Sequence, residues 1–167
     1  MPQLLNYFSD SWLIYWQMAF LLTYLFHIAE EYWGGGGYSA YLMRSHFVEM
    51  SPARFLALQS FGMFLMFVGV VISIPLSFPI TMLTIIAAIV LANALVHGAR
   101  SLSGRIYTPG LITAIFLWLP LGAVWLFSAW DIMPGGRFLF AVVVGLSISL
   151  LVEVIAMRGG RLKGQEQ

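Results

Sequence analysis

The sequence predicts an all-α integral membrane protein, a bundle of five transmembrane helices with the N-terminus outside and the C-terminus in the cytoplasm. Three observations predict it. Of 167 residues, 60% are hydrophobic and only 9% are charged, against about 25% charged in an ordinary soluble domain. The apolar residues fall into five runs of roughly the 20 residues that a helix needs to cross a hydrocarbon core. The basic residues gather on one side of the resulting topology. The chain reads as a single transmembrane domain with spans at about 11–33, 53–76, 79–99, 109–130 and 135–157. Each run is too long for one strand of a membrane barrel.

The elements follow in order. The first span comes after MPQLLNYFSD, which carries no basic residue, and no A-x-A-like site follows the apolar run. A retained helix is expected rather than a cleaved signal peptide. The span ends in HIAEEYWGGGG, where Gly34 to Gly37 stop the helix, because glycine takes the left-handed conformation that helix ends use. The second span opens at Ser51-Pro52, an N-cap followed by proline in the first helical position. The break at Ser77-Phe78-Pro79 separates it from the third. The fourth opens at Thr108-Pro109, with Thr108 expected as the cap and Pro109 as the start, and the fifth follows Met133-Pro134. In the fifth, Gly145 and Ser149 have the small-xxx-small spacing of close helix packing. Met63 and Met66 in the second read as flexible core filler, not as copper ligands.

Charge sets the orientation. Arg44, Arg54, Arg100, Arg105, Arg158, Arg161 and Lys163 fall on one side of a five-span topology, and Arg137 stands alone on the other. Short loops rich in Lys and Arg stay in the cytoplasm, so the C-terminus is expected there, in the cell (inner) membrane. A net charge of +1 gives no support for nucleic-acid binding. The absence of cysteine excludes disulfides and thiolate metal sites.

The three odd-numbered helices run inward and deliver polar and ionisable residues to the same leaflet. The first carries His27, Glu30 and Glu31, the third Asn93, His97 and Arg100, and the fifth Glu153. The even helices carry almost none, apart from Arg54 and Gln59 at the start of the second. His27, Glu30 and Glu31 are spaced i, i+3, i+4, and Asn93, His97 and Arg100 are spaced i, i+4, i+7, so each set shares a helix face. Ionisable residues inside a span face the bundle interior and mark a site. Two adjacent carboxylates at a helix C-terminus also oppose its dipole, so they call for a cation, a proton or a buried partner. His97, Arg100 or a metal can supply it. His46 and Glu49, in the first cytoplasmic loop, read as solvated loop residues near the mouth of the site.

His27-Ile28-Ala29-Glu30-Glu31 is an H-x-x-E-E motif, His97 is a second intramembrane histidine, and Tyr107-Thr108-Pro109-Gly110 is a Y-x-P-G motif opening the fourth span. Together these resemble the HXXEE-motif family of multi-pass membrane proteins, over positions 27–110. The resemblance implies a multi-pass membrane protein and brings no activity with it. Tyr107 sits at the depth of His27 and His97, where its hydroxyl donates into the site or anchors the helix.

The chemistry of these side chains points first to a membrane enzyme with a divalent metal. His27, Glu31, His97 and Glu153 form the expected metal set, and Glu30, Glu31, Asn93, His97 and Tyr107 the expected catalytic set. Zinc takes about three such ligands with an open position, and iron suits two histidines and a carboxylate. A spare glutamate then serves as general base. Membrane lipids are the expected surroundings, the substrate is a lipid or a lipidated molecule from the cytoplasmic leaflet, and hydrolysis is the simplest reaction. A metal-free acid–base lipid isomerase is the alternative, since the inventory also resembles that of the emopamil-binding sterol isomerases. A small proton-coupled transporter or transporter subunit is a further one. The outer halves of the spans are almost wholly apolar, so a transport path requires a homo-oligomer.

Overall fold

A computed structural model describes residues 10–46, 48–158 and 161–162. The stretch 1–9, whose composition argued against a signal peptide, and Lys163 of the basic tail lie outside the described residues. Among the described residues there are five helices long and apolar enough to cross a membrane, at Trp12–Gly36, Pro52–Ser73, Pro79–Gly104, Leu111–Ile132 and Gly135–Met157. The expected all-helical, five-span architecture is therefore present. The helices are α1 (Asp10–Trp33), α2 (Tyr38–His46), α3 (Pro52–Ser73), α4 (Pro79–Gly104), α5 (Leu111–Ile132) and α6 (Gly135–Arg158). A short antiparallel bridge pairs β1 (Val48–Glu49) with β2 (Arg161–Leu162) and ties the first loop to the chain after α6.

Local chemistry explains the boundaries. Ser51 caps α3, its hydroxyl accepting the Arg54 backbone N–H at 3.2 Å, with Pro52 just inside the start. α3 ends at Ser73, three residues before the expected boundary, because the chain turns over 74–77 and Ser77 takes a positive φ of 58°. α4 runs past the expected 99 to Gly104, where Arg105 adopts the left-handed conformation that closes it.

The start of α5 differs from expectation in kind. Pro109 does not open the helix. Gly110 stands at the cap with φ 91°, and the helix begins at Leu111. The Thr108 side chain is spent on Ser101, hydroxyl to hydroxyl at 2.8 Å, so it does not cap. Within α5, residues 114–118 form a π-helical turn just before Pro120. Proline has no N–H and its ring crowds the carbonyl four residues back, and a wider turn relieves that crowding.

α4 is the most enclosed helix, burying Leu83, Ile86, Ala87, Val90, Ala94 and His97. Small residues let its neighbours approach. A Cβ on Gly145 of α6 would lie 2.5 Å from the Ile85 carbonyl oxygen, and one on Gly122 of α5 3.2 Å from that of Ala87. Phe20, Leu83, Trp118 and Trp125 fill the centre, and the Trp125 indole N–H donates to Thr84 Oγ1 at 3.1 Å. Large apolar side chains such as Phe64, Phe127, Phe140 and Leu150 point outward, as they do in a bundle whose solvent is lipid.

Candidate metal centre

α1 and α4 bring His27, Glu31 and His97 to one place, and all three are buried at 1%, 3% and 1% exposure. The imidazole centroids are 5.1 Å apart. Glu31 Oε1 lies 3.6 Å from His27 Nε2 and 3.4 Å from His97 Nε2. One ligand atom from each residue falls within 4.8 Å of the other two, so the group can hold a metal ion. Atoms sharing a zinc through bonds of ~2.0–2.1 Å at tetrahedral angles stand ~3.4 Å apart, which is close to the observed separations.

The surroundings hold these side chains from behind. The Gln59 amide donates to Glu31 Oε2, and the Tyr24 hydroxyl donates to Gln59 Oε1 at 2.8 Å. The Trp118 indole stacks on the His27 ring with centroids 3.7 Å apart and on Tyr24 at 5.7 Å. His27 Nδ1 faces Thr113 Oγ1 at 2.8 Å. Gly110 sits in the middle, where a Cβ would meet His27 Cε1 at 2.7 Å, and Glu31 Cγ and His97 Cε1 at 2.9 Å. Among the described residues, four buried side-chain polar atoms have no hydrogen-bond partner: His27 Nε2, Asn93 Oδ1, His97 Nδ1 and Trp118 Nε1.

Glu30 does different work from Glu31. Its oxygens take the backbone N–H of Ile112 at 2.8 Å, that of Thr113 at 2.6 Å, the Thr113 hydroxyl at 2.6 Å and the Tyr107 hydroxyl. It thus caps the N-terminus of α5, where the helix dipole favours an anion. This resolves the conflict of two carboxylates at the end of α1, because one of them belongs electrostatically to the next helix. Tyr107 lies against the glycine turn: a Cβ on Gly34 or Gly35 would come within 2.7 Å of its hydroxyl or ring. Partial burial and the Glu30 carboxylate hold its phenol above the ordinary tyrosine range. Of the two roles open to Tyr107, the hydroxyl reaches Glu30 and not the histidines.

Glu153, expected in the metal set, is engaged elsewhere. It pairs with Arg100 at 2.7 Å, and Arg100 also reaches the Tyr38 hydroxyl at 3.3 Å. The Arg100 guanidinium is thus engaged by Glu153 of α6 and by Tyr38, not by Glu30 or Glu31. His46 closes α2 and Glu49 lies in β1. Thr113, Tyr24 and Trp118 were not anticipated, and Gln59 was noted only as an exception on an even helix. Their signal is spacing: Tyr24 is on the His27–Glu31 face, and Gln59 and Thr113 are polar residues near the starts of otherwise apolar spans.

Fold and site together define a five-helix membrane protein with a buried His-Glu-His group near one end of its bundle. Residues 18–126, about two thirds of the chain, match the family described as a protein of unknown function with HXXEE motif, and the chain belongs to that family. Comparison with curated proteins and with solved structures finds no match. The motif residues are in mutual contact here: Glu30 meets Tyr107, and Gly110 fits between His27, Glu31 and His97.

Proposed function

We propose that this protein is a metal-dependent hydrolase of the cell (inner) membrane, acting on a lipid or lipidated substrate from the cytoplasmic leaflet. The excess of arginine beside the site end of the bundle supports an outside N-terminus and a cytoplasmic C-terminus. One observation carries the metal reading. Three buried ligand atoms, His27 Nε2, Glu31 Oε1 and His97 Nε2, converge, and His27 Nε2 has no hydrogen-bond partner, an arrangement that a cation would relieve. Two histidines and a carboxylate suit zinc with an open position, or iron(II). A metal held there supplies the positive charge that acidifies water.

The chain's own residues do the rest. Gln59 fixes Glu31, and Trp118 fixes the plane of His27. Glu30 has its oxygens spent on α5, so it buttresses the site instead of acting as the free base. Asn93 Oδ1 is an unspent acceptor on the His97 face of α4. A cavity of about 210 Å³, lined by Glu31, Tyr32, Gly37, Tyr38 and Phe55 among others, reaches the site at Glu31. Its volume suits the polar end of a lipid, with the chains left in the bilayer.

The test is protein reconstituted with a cellular lipid extract and loaded with zinc or iron(II), with products read by mass spectrometry in ¹⁸O-labelled water. Hydrolysis inserts the label into a product, and His97→Ala abolishes it. A lipid of unchanged mass with a moved double bond instead favours the metal-free isomerase, for which the 3.4 Å His97–Glu31 approach is the supporting observation. No lipid consumed overturns both.

A further inference from the structure

The geometry points to Thr113 as a positioning residue that, with Glu30 behind it, locks His27 in the tautomer that presents a bare Nε2 to Glu31 and His97. The inference deepens the metal reading and rests on it for its consequence, although the tautomer itself follows from hydrogen-bond arithmetic alone. A threonine hydroxyl has one proton to donate. Thr113 Oγ1 lies 2.6 Å from Glu30 Oε2 and 3.2 Å from the Gly110 carbonyl oxygen. Four donor contacts converge on the Glu30 carboxylate, from Tyr107, the Ile112 N–H, and the Thr113 N–H and hydroxyl. That is the pattern of an ionised acceptor with nothing to give. The Thr113 proton is therefore spent on an acceptor-only oxygen. The 2.8 Å contact between Thr113 Oγ1 and His27 Nδ1 is a hydrogen bond only if the imidazole donates.

His27 thus carries its proton on Nδ1, and Nε2, which has no partner and lies 3.6 Å from Glu31 Oε1, carries the lone pair. A ligating histidine commonly donates its other N–H to a carboxylate or another acceptor, which fixes its tautomer and raises its basicity. Here a threonine relays that role to Glu30. The first turn of α5 then completes the site: Gly110 leaves room for the ligands, Thr113 aims one of them, and Glu30 caps the helix that carries both.

The test is ¹⁵N NMR of histidine-labelled protein in detergent, with His27 assigned by His27→Gln, alongside zinc affinity by competition. In the wild type, Nδ1 reads as protonated and Nε2 as bare. The near-isosteric Thr113→Val yields a mixture of tautomers and a zinc affinity ~10–100-fold lower, the usual cost of losing an outer-shell partner. Thr113→Ser restores both, which a merely structural role for the residue does not explain. Should Thr113→Val prove too unstable, Glu30→Gln gives the same readout. An unchanged nitrogen signature and unchanged affinity in Thr113→Val overturn the inference. A Thr113-dependent tautomer in a wild type that binds no zinc supports the positioning and overturns the metal reading alone.

Discussion

Replacing Gly110 with alanine is the sharpest local perturbation the site allows. The new Cβ would stand 2.7 Å from His27 Cε1, and 2.9 Å from Glu31 Cγ and His97 Cε1, where ordinary contact starts at 3.4 Å. Each of the three ligand-bearing side chains must therefore retreat by about 0.5–0.7 Å, whereas metal sites tolerate departures of about 0.2 Å in their bond lengths. The backbone at φ 91° adds ~1–2 kcal/mol for a residue with a Cβ, and overpacking adds ~1–3 kcal/mol. Gly110→Ala should lower stability by roughly 2–5 kcal/mol and zinc affinity by more than the ~10–100-fold of an outer-shell loss. Gly136→Ala is the control, since nothing lies within 4 Å of its Cβ. Thermal unfolding in detergent and zinc competition read the two effects. If Gly110→Ala binds zinc as tightly as Gly136→Ala, the three side chains do not act as one ligand set.

Three further outcomes follow from the contacts. Gln59→Leu strands Glu31 Oε2 and the Tyr24 hydroxyl, so it should cost ~1–3 kcal/mol and ~10-fold or more in metal affinity, read by the same two assays. Glu153→Gln loosens a partly exposed tie between α4 and α6 and should lower stability by ~1 kcal/mol or less with metal stoichiometry unchanged, as elemental analysis will show. Tyr107 has a folded-state pKa above its unfolded value of 10.0, so its contribution to stability is present in full below pH 10 and is lost as pH rises through the folded value. A pH series of unfolding midpoints should show a smaller alkaline loss in Tyr107→Phe than in the wild type.

The spans were legible because lipid imposes length and apolarity on every crossing helix. The partnership of His27 with His97 was legible because alternating direction places the ends of α1 and α4 at one depth. The division of labour between Glu30 and Glu31 was not. Adjacent residues on a helix point about 100° apart, and the choice of neighbour on each side is a matter of packing. Glu30 meets the first turn of α5, and Glu31 meets α4 and Gln59 of α3. The partner of Glu153 was not legible for the same reason, since its depth matched the site while its face met Arg100. Thr113 escaped notice because a threonine in the first turn of a span is unremarkable until Glu30 and His27 stand on either side of its hydroxyl.

Metal content tests the central claim most directly. The chain has three histidines, of which His27 and His97 belong to the buried group and His46 ends α2. Elemental analysis of purified protein should find about one zinc or iron per chain, retained in His46→Ala and lost in both His27→Ala and His97→Ala. A wild type free of metal, or metal that survives loss of His27 and His97, contradicts the account.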